Sequence, residues 1–161
     1  MKPGQHVSRA GALLCVMAIA SCDTSVAVSG NSFQSQYTNA RDALEKGRYQ
    51  AAGRIYERLL DQAGVHRNRI SLELAHTHLR AENFGAAEQI SGTLVKATNG
   101  TARAAALAVQ ATALHEIGLQ YLSSGDQRQG AAYLRRAQSA IDDVLASDPE
   151  LDPLGSLAGR K

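Results

Sequence analysis

The stretch Gly47-Arg48-Tyr49-Gln50-Ala51-Ala52-Gly53-Arg54-Ile55-Tyr56-Glu57-Arg58-Leu59-Leu60 decides the fold. Ala52, Ile55, Tyr56, Leu59 and Leu60 recur at steps of three and four, the spacing that lines up one face of an α-helix. Lys46-Gly47-Arg48 interrupts the pattern on one side, and Ala63-Gly64-Val65 stops it on the other. Upstream, Ala40, Ala43 and Leu44 form a narrower stripe with the same period. The sequence therefore predicts two helices, over residues 34–46 and 50–62, folded back on each other through the glycine turn.

The same grammar recurs downstream. Ile70, Leu74 and Ala75, then Ala87, Ile90 and Leu94, predict a second pair over 67–80 and 84–97, broken at Arg80-Ala81-Glu82-Asn83. Asn99-Gly100 ends it. A third, longer pair spans 101–122 and 127–146, with Ser123-Ser124-Gly125-Asp126 as its turn. Asp148-Pro149 closes it, because proline disfavours helix in the residue before it. The three prolines, Pro3, Pro149 and Pro153, leave residues 4–148 free of proline, and no run alternates as a strand would. The fold class is all-α, with about three antiparallel helix pairs over residues 34–149. Residues 150–161 carry Pro153, Gly155 and Gly159 and are expected to form a flexible tail.

Gly47, Tyr49, Ala52, Tyr56 and Leu60 resemble the second half of a tetratricopeptide repeat. Phe84, Ala87, Leu94 and Val95 repeat the pattern 35 residues on, with Glu82 in place of the turn glycine. Leu114, Ile117, Gly118, Tyr121 and Gly125 resemble the family's first helix, and Ala137, Ile141, Val144 and Leu145 its second. There the turn glycine lies seven residues further from Ala137 than the pattern requires, which is close to two helical turns. The resemblance implies a short right-handed helical-repeat array whose third unit is lengthened, as a capping unit could be. An irregular helical bundle is the rival.

The N-terminus carries an address. Lys2 and Arg9 precede an apolar run, Ala10 to Ala20, too short to span a bilayer, which needs roughly 20 residues. This is the layout of a secretory signal peptide. Ile19-Ala20-Ser21-Cys22 resembles the bacterial lipoprotein lipobox. The resemblance implies that residues 1–21 are removed and that Cys22 is the lipidation site. Residues 22–33 would then be a lipidated cysteine and a flexible tether of small, polar residues. It also implies a lipid anchor in the bacterial envelope, facing the periplasm. Asp23 resembles an inner-membrane retention signal of enterobacteria-like sorting, whereas pilotin-like proteins usually sit at the outer membrane, so the leaflet stays open. Cys15 would leave with the signal, which excludes a disulfide in the remaining chain.

Composition and spacing exclude much chemistry. Lysine and arginine number 17 against 15 acids; without Lys2 and Arg9 the signs balance, so no nucleic-acid partner is expected. His76 and His78 stand two apart on a helix, about 200° around it, and cannot share a metal. His66 and His115 stand alone. Glu45, Glu57, Asp61, Glu73, Glu82, Glu88, Asp142 and Asp143 read as scattered, solvated carboxylates rather than a facing acid/base pair. No nucleophile elbow and no phosphate-cradling glycine loop is present. No catalytic residue, metal, cofactor beyond the Cys22 lipid, or small-molecule substrate is expected.

What remains is interaction with envelope proteins. Carried onto this register, the repeat family's groove-facing positions are Tyr37, Arg41 and Leu44, then Arg69, Leu72, His76 and Leu79, then His115, Leu119 and Leu122. Apolar and cationic side chains together would suit a peptide bearing a carboxylate. Small repeat lipoproteins of this kind resemble pilotins and the assembly lipoproteins of tight-adherence pili and secretion systems. The resemblance implies a non-enzymatic scaffold; the alternatives are an adaptor for peptidoglycan hydrolases and an envelope enzyme.

Overall fold

The computed structural model describes residues 32–151 and 156–160. The expected signal, Cys22, Asp23 and nearly all of the expected tether lie outside the described residues. Among the described residues six helices follow one another: α1 Phe33–Glu45, α2 Tyr49–Leu60, α3 Arg67–Arg80, α4 Phe84–Ala97, α5 Gly100–Ser123 and α6 Gln127–Ser147. Short 3-10 turns lie at Gly64–His66, Pro149–Leu151 and Ala158–Arg160. No strand occurs among the described residues, and none of their helices is long and apolar enough to cross a membrane. Each helix limit falls within two residues of the periodicity reading.

The turns inside the three pairs have one geometry. After α1, the Arg48 N–H donates to the Ala43 carbonyl (2.8 Å) and the Gly47 N–H to Leu44 (3.0 Å). After α3, Asn83 donates to His78 (2.9 Å) and Glu82 to Leu79 (3.1 Å). After α5, Asp126 donates to Tyr121 (2.9 Å) and Gly125 to Leu122 (3.1 Å). This is the Schellman closure, which needs a left-handed residue at its centre. Gly47 and Gly125 supply it at φ 72° and 88°; Glu82 adopts it at φ 58° without glycine's freedom.

Helices pack chiefly against their neighbours in sequence, and α3 also touches α5. Among the described residues two buried clusters stand out. The first joins Ala40, Ala43, Leu44, Ala52, Tyr56, Leu59, Ile70 and Leu74 from α1–α3, with Ile90 of α4 packed against it. The second joins Leu107, Ala111, Ala140, Ile141 and Val144 from α5 and α6, with Val95 of α4 against it. Helix α4 thus bridges both cores.

The third pair is long, 24 and 21 residues against 14 each for α3 and α4. Its two helices approach closely where Gly118 faces Gly130. A Cβ on Gly130 would lie 2.5 Å from Leu122 Cδ2 and 3.1 Å from the Gly118 carbonyl oxygen. Beyond α6, the tail expected to trail free is docked where it is described. Leu157 is buried in the second core, and Arg160 reaches Glu116 on α5.

Candidate functional site

The principal polar cluster is built around Glu73. Its α3 position follows Ile70 by three and precedes Thr77 by four, so it belongs to the same helical stripe as the apolar Ile70 and Leu74. The side chain is 6% exposed. The sequence reading placed Glu73 among solvated carboxylates; the structure corrects this, because its helix face is turned toward α1. A buried carboxylate must be paired, and three groups pair it. Tyr37 donates its hydroxyl to Oε1 (3.1 Å). Arg41 Nη1 donates to Oε2 (3.1 Å). Arg69, one turn back on α3, donates Nε and Nη2 to Oε1 at 3.0 and 2.9 Å. Arg41 also reaches Glu45 at 3.3 Å.

The electrostatics follow from this geometry. The Arg41 guanidinium is held above its ordinary pKa, chiefly by the Glu73 charge. Arg69 is also raised, first by its hydrogen bond with Tyr37 and then by the Glu73 charge against the opposing effect of desolvation. Beneath the cluster, the Tyr56 ring is fully buried and meets Tyr37 edge-on at 6.2 Å between centroids. Burial pushes the Tyr56 hydroxyl well above the usual phenol range, and the nearby Glu73 charge adds to this. That hydroxyl is buried with no hydrogen-bonding partner among the described residues.

Of the ten groove positions read from the sequence, Tyr37, Arg41 and Arg69 come together here. Their cations already serve an internal carboxylate, so an incoming acid would share them with Glu73. Leu44 is 5% exposed and lies in the first core rather than on a surface, because it packs with Tyr56 and Leu59. Leu72 and Arg69 line a cleft with Leu94, Thr98, Ala102 and Ala105. His76 is exposed and Leu79 half-buried. The His76 imidazole lies below its ordinary pKa, chiefly through partial desolvation, with Arg80 and Arg41 acting the same way and Glu73 opposing.

On α5 the three remaining positions diverge. His115 lies 3.1 Å from Arg160 Nη1, which also bonds Glu116 at 2.6 Å. Leu119 is 43% exposed. Leu122 covers Gly130, where it holds α5 to α6. The residue that the sequence reading missed is Glu73, and its signal is present: an acid inside a helical apolar stripe, with arginine four residues earlier.

Among the described residues, no three histidines, cysteines or carboxylates are placed to hold a metal. No family model, curated protein or solved structure matches the chain.

Proposed function

We propose that the chain is a tetratricopeptide-like scaffold, lipid-anchored through Cys22, which holds a protein partner during assembly of an envelope machine such as a pilus or secretion system. The observation that carries the reading is the Schellman turn repeated at Gly47, Glu82 and Gly125, closing successive helix pairs. Such pairs, stacked in sequence order, generate extended surfaces that repeat proteins use for binding. The partner surface is the side of α1 and α3 carrying Tyr37, Arg41, Arg69, Leu72, His76 and Leu79, continued on α5 by Leu119. Its arginines are fixed in place by Glu73, and preorganised donors bind a carboxylate at lower ordering cost. The adaptor for peptidoglycan hydrolases is the second reading, and it uses the same surface.

The test is crosslinked capture of the full chain from its native envelope, with partners identified by mass spectrometry. Pilus or secretion components are expected. Substituting Arg41 and Arg69 would also undo the Glu73 cluster, so the cleaner variant is His76→Glu with Leu119→Glu, both at exposed positions. That variant is expected to keep its helicity and lose the partner. Undiminished capture would remove these residues from the surface, and recovery of cell-wall hydrolases alone would favour the second reading.

A further inference from the structure

The end of the molecule at which α1 begins is built differently from the end that the Schellman turns close. Successive helices alternate in direction, so Gly47, Glu82 and Gly125 lie at one end, while Phe33, the α2–α3 junction and the α4–α5 junction share the other. There the Phe33 and His66 rings lie 6.1 Å apart, and Asn68 and Arg69 line one cleft with Thr98, Thr101 and Ala102. At the tip, Val65 is 94% exposed. It is the middle residue of the 3-10 turn Gly64–His66, in which no residue is buried. An aliphatic side chain held out in this way contributes almost nothing to folding. The charges around it are one-sided. Arg58 in the last turn of α2, Arg67 at the start of α3 and Lys96 in the last turn of α4 are exposed, and Asp61 is the acid of residues 58–72. Arg69 is already paired with Glu73. Arg67 donates to the Leu60 carbonyl (2.8 Å), which fixes the side chain and leaves its charge uncancelled. The acids Asp142 and Asp143 belong to α6, which packs against α5 rather than α3.

We infer that this tip is a membrane-contact surface, with Val65 in the bilayer interface and Arg58, Arg67 and Lys96 on anionic headgroups. The inference rests on the proposed anchor at Cys22. Ser32, the N-cap of α1, follows Cys22 by ten positions, a reach of at most about 35 Å. The anchor therefore keeps this end close to the bilayer, and the opposite end lies a helix length from it, about 20 Å. The chemistry of the tip fits that neighbour. An apolar side chain flanked by cations on long aliphatic stems matches the step from hydrocarbon to headgroup. Each cation near an anionic surface strengthens the attraction about five-fold. A protein partner would need a shaped pocket for Val65, whereas a bilayer accepts it without one. With this tip down, the helices stand on end and the α1–α3 surface faces sideways, open to a partner beside the same membrane.

The chain has no tryptophan, so a single introduced one reports alone. The full chain is placed in phosphatidylglycerol vesicles whose lipids carry bromine on the upper acyl carbons. Val65→Trp is expected to be quenched at least about two-fold more than Gln50→Trp, an exposed position at the opposite end. Equal quenching would overturn the inference. Adding Arg58→Glu and Lys96→Glu should bring the probe at 65 down to the level of the probe at 50. Undiminished quenching would overturn the inference as well, because the anchor alone would then account for the proximity. Crosslinking of residue 65 to a second copy or to another protein, in place of quenching, would overturn it by making that protein the occupant. The intact mass of the same preparation shows whether Cys22 is acylated. An acylated chain with an unquenched probe at 65 would keep the anchor and remove the surface. An unacylated chain with a quenched probe would keep the surface and remove the anchor, and an unacylated, unquenched chain would remove both.

Discussion

Glu73 is the residue whose removal reaches across two helices. Its three donors lie on two helices, so removing the carboxylate unlinks α1 from α3 and leaves two guanidiniums close together. Glu73→Ala is expected to cost about 2 kcal/mol in denaturant unfolding, less than for a fully buried pair because Arg41 and Arg69 are 40% and 64% exposed. Arg41→Ala leaves Tyr37 and Arg69 in place and should cost about 1 kcal/mol or less. Tyr56→Phe has the opposite sign. It deletes a buried hydroxyl that has no partner among the described residues, so stability should hold or rise by about 1 kcal/mol; a clear loss would reveal a hydrogen bond there. His76 gives a pH dependence. Its folded pKa lies below the ordinary 6.5, so the unfolded chain takes up the proton first. Its contribution is present above 6.5 and declines as the pH falls from there to the folded value. His76→Gln should flatten that part of a melting-temperature profile. The acid in the apolar stripe was visible in the sequence, but its partners were not, because they depend on how closely α1 lies against α3.

Helix limits were legible because stripe, turn and proline agree locally; no long-range contact was needed to place them. Glu82 was legible as a departure, and its φ of 58° gives the departure a physical cost. Glu82→Gly should stabilise the chain by about 1 kcal/mol, raising the melting midpoint by about 4 °C; no gain would mean that the glutamate side chain compensates its own backbone. Gly130 behaves in reverse. Glycine inside a helix is ordinarily a weakness, yet here the missing Cβ lets α6 approach the Gly118 carbonyl and Leu122. Gly130→Val should therefore cost about 2 kcal/mol through overpacking, read as an earlier thermal midpoint. The sequence showed both glycines but not that they face each other, since that register depends on the lengths of two helices together.

For the molecule as a whole, sequence order and spatial order coincide. That is why the periodicity reading extended so far, and why it failed where the chain returns on itself, at Leu157 and Arg160. Two cores joined through α4 also give the molecule a characteristic way of opening. Ile90 belongs with the first core and Val95 with the second, little more than one turn apart. A fluctuation that frays α1 and α2 need not disturb α5 and α6, so amide exchange should resolve into two cooperative blocks with different protection. Contacts between sequence neighbours also close quickly. Each helix pair can thus form as soon as it is free to, and a chain pulled from its N-terminal end would yield in steps, the last to let go being the long hairpin sealed by two glycines.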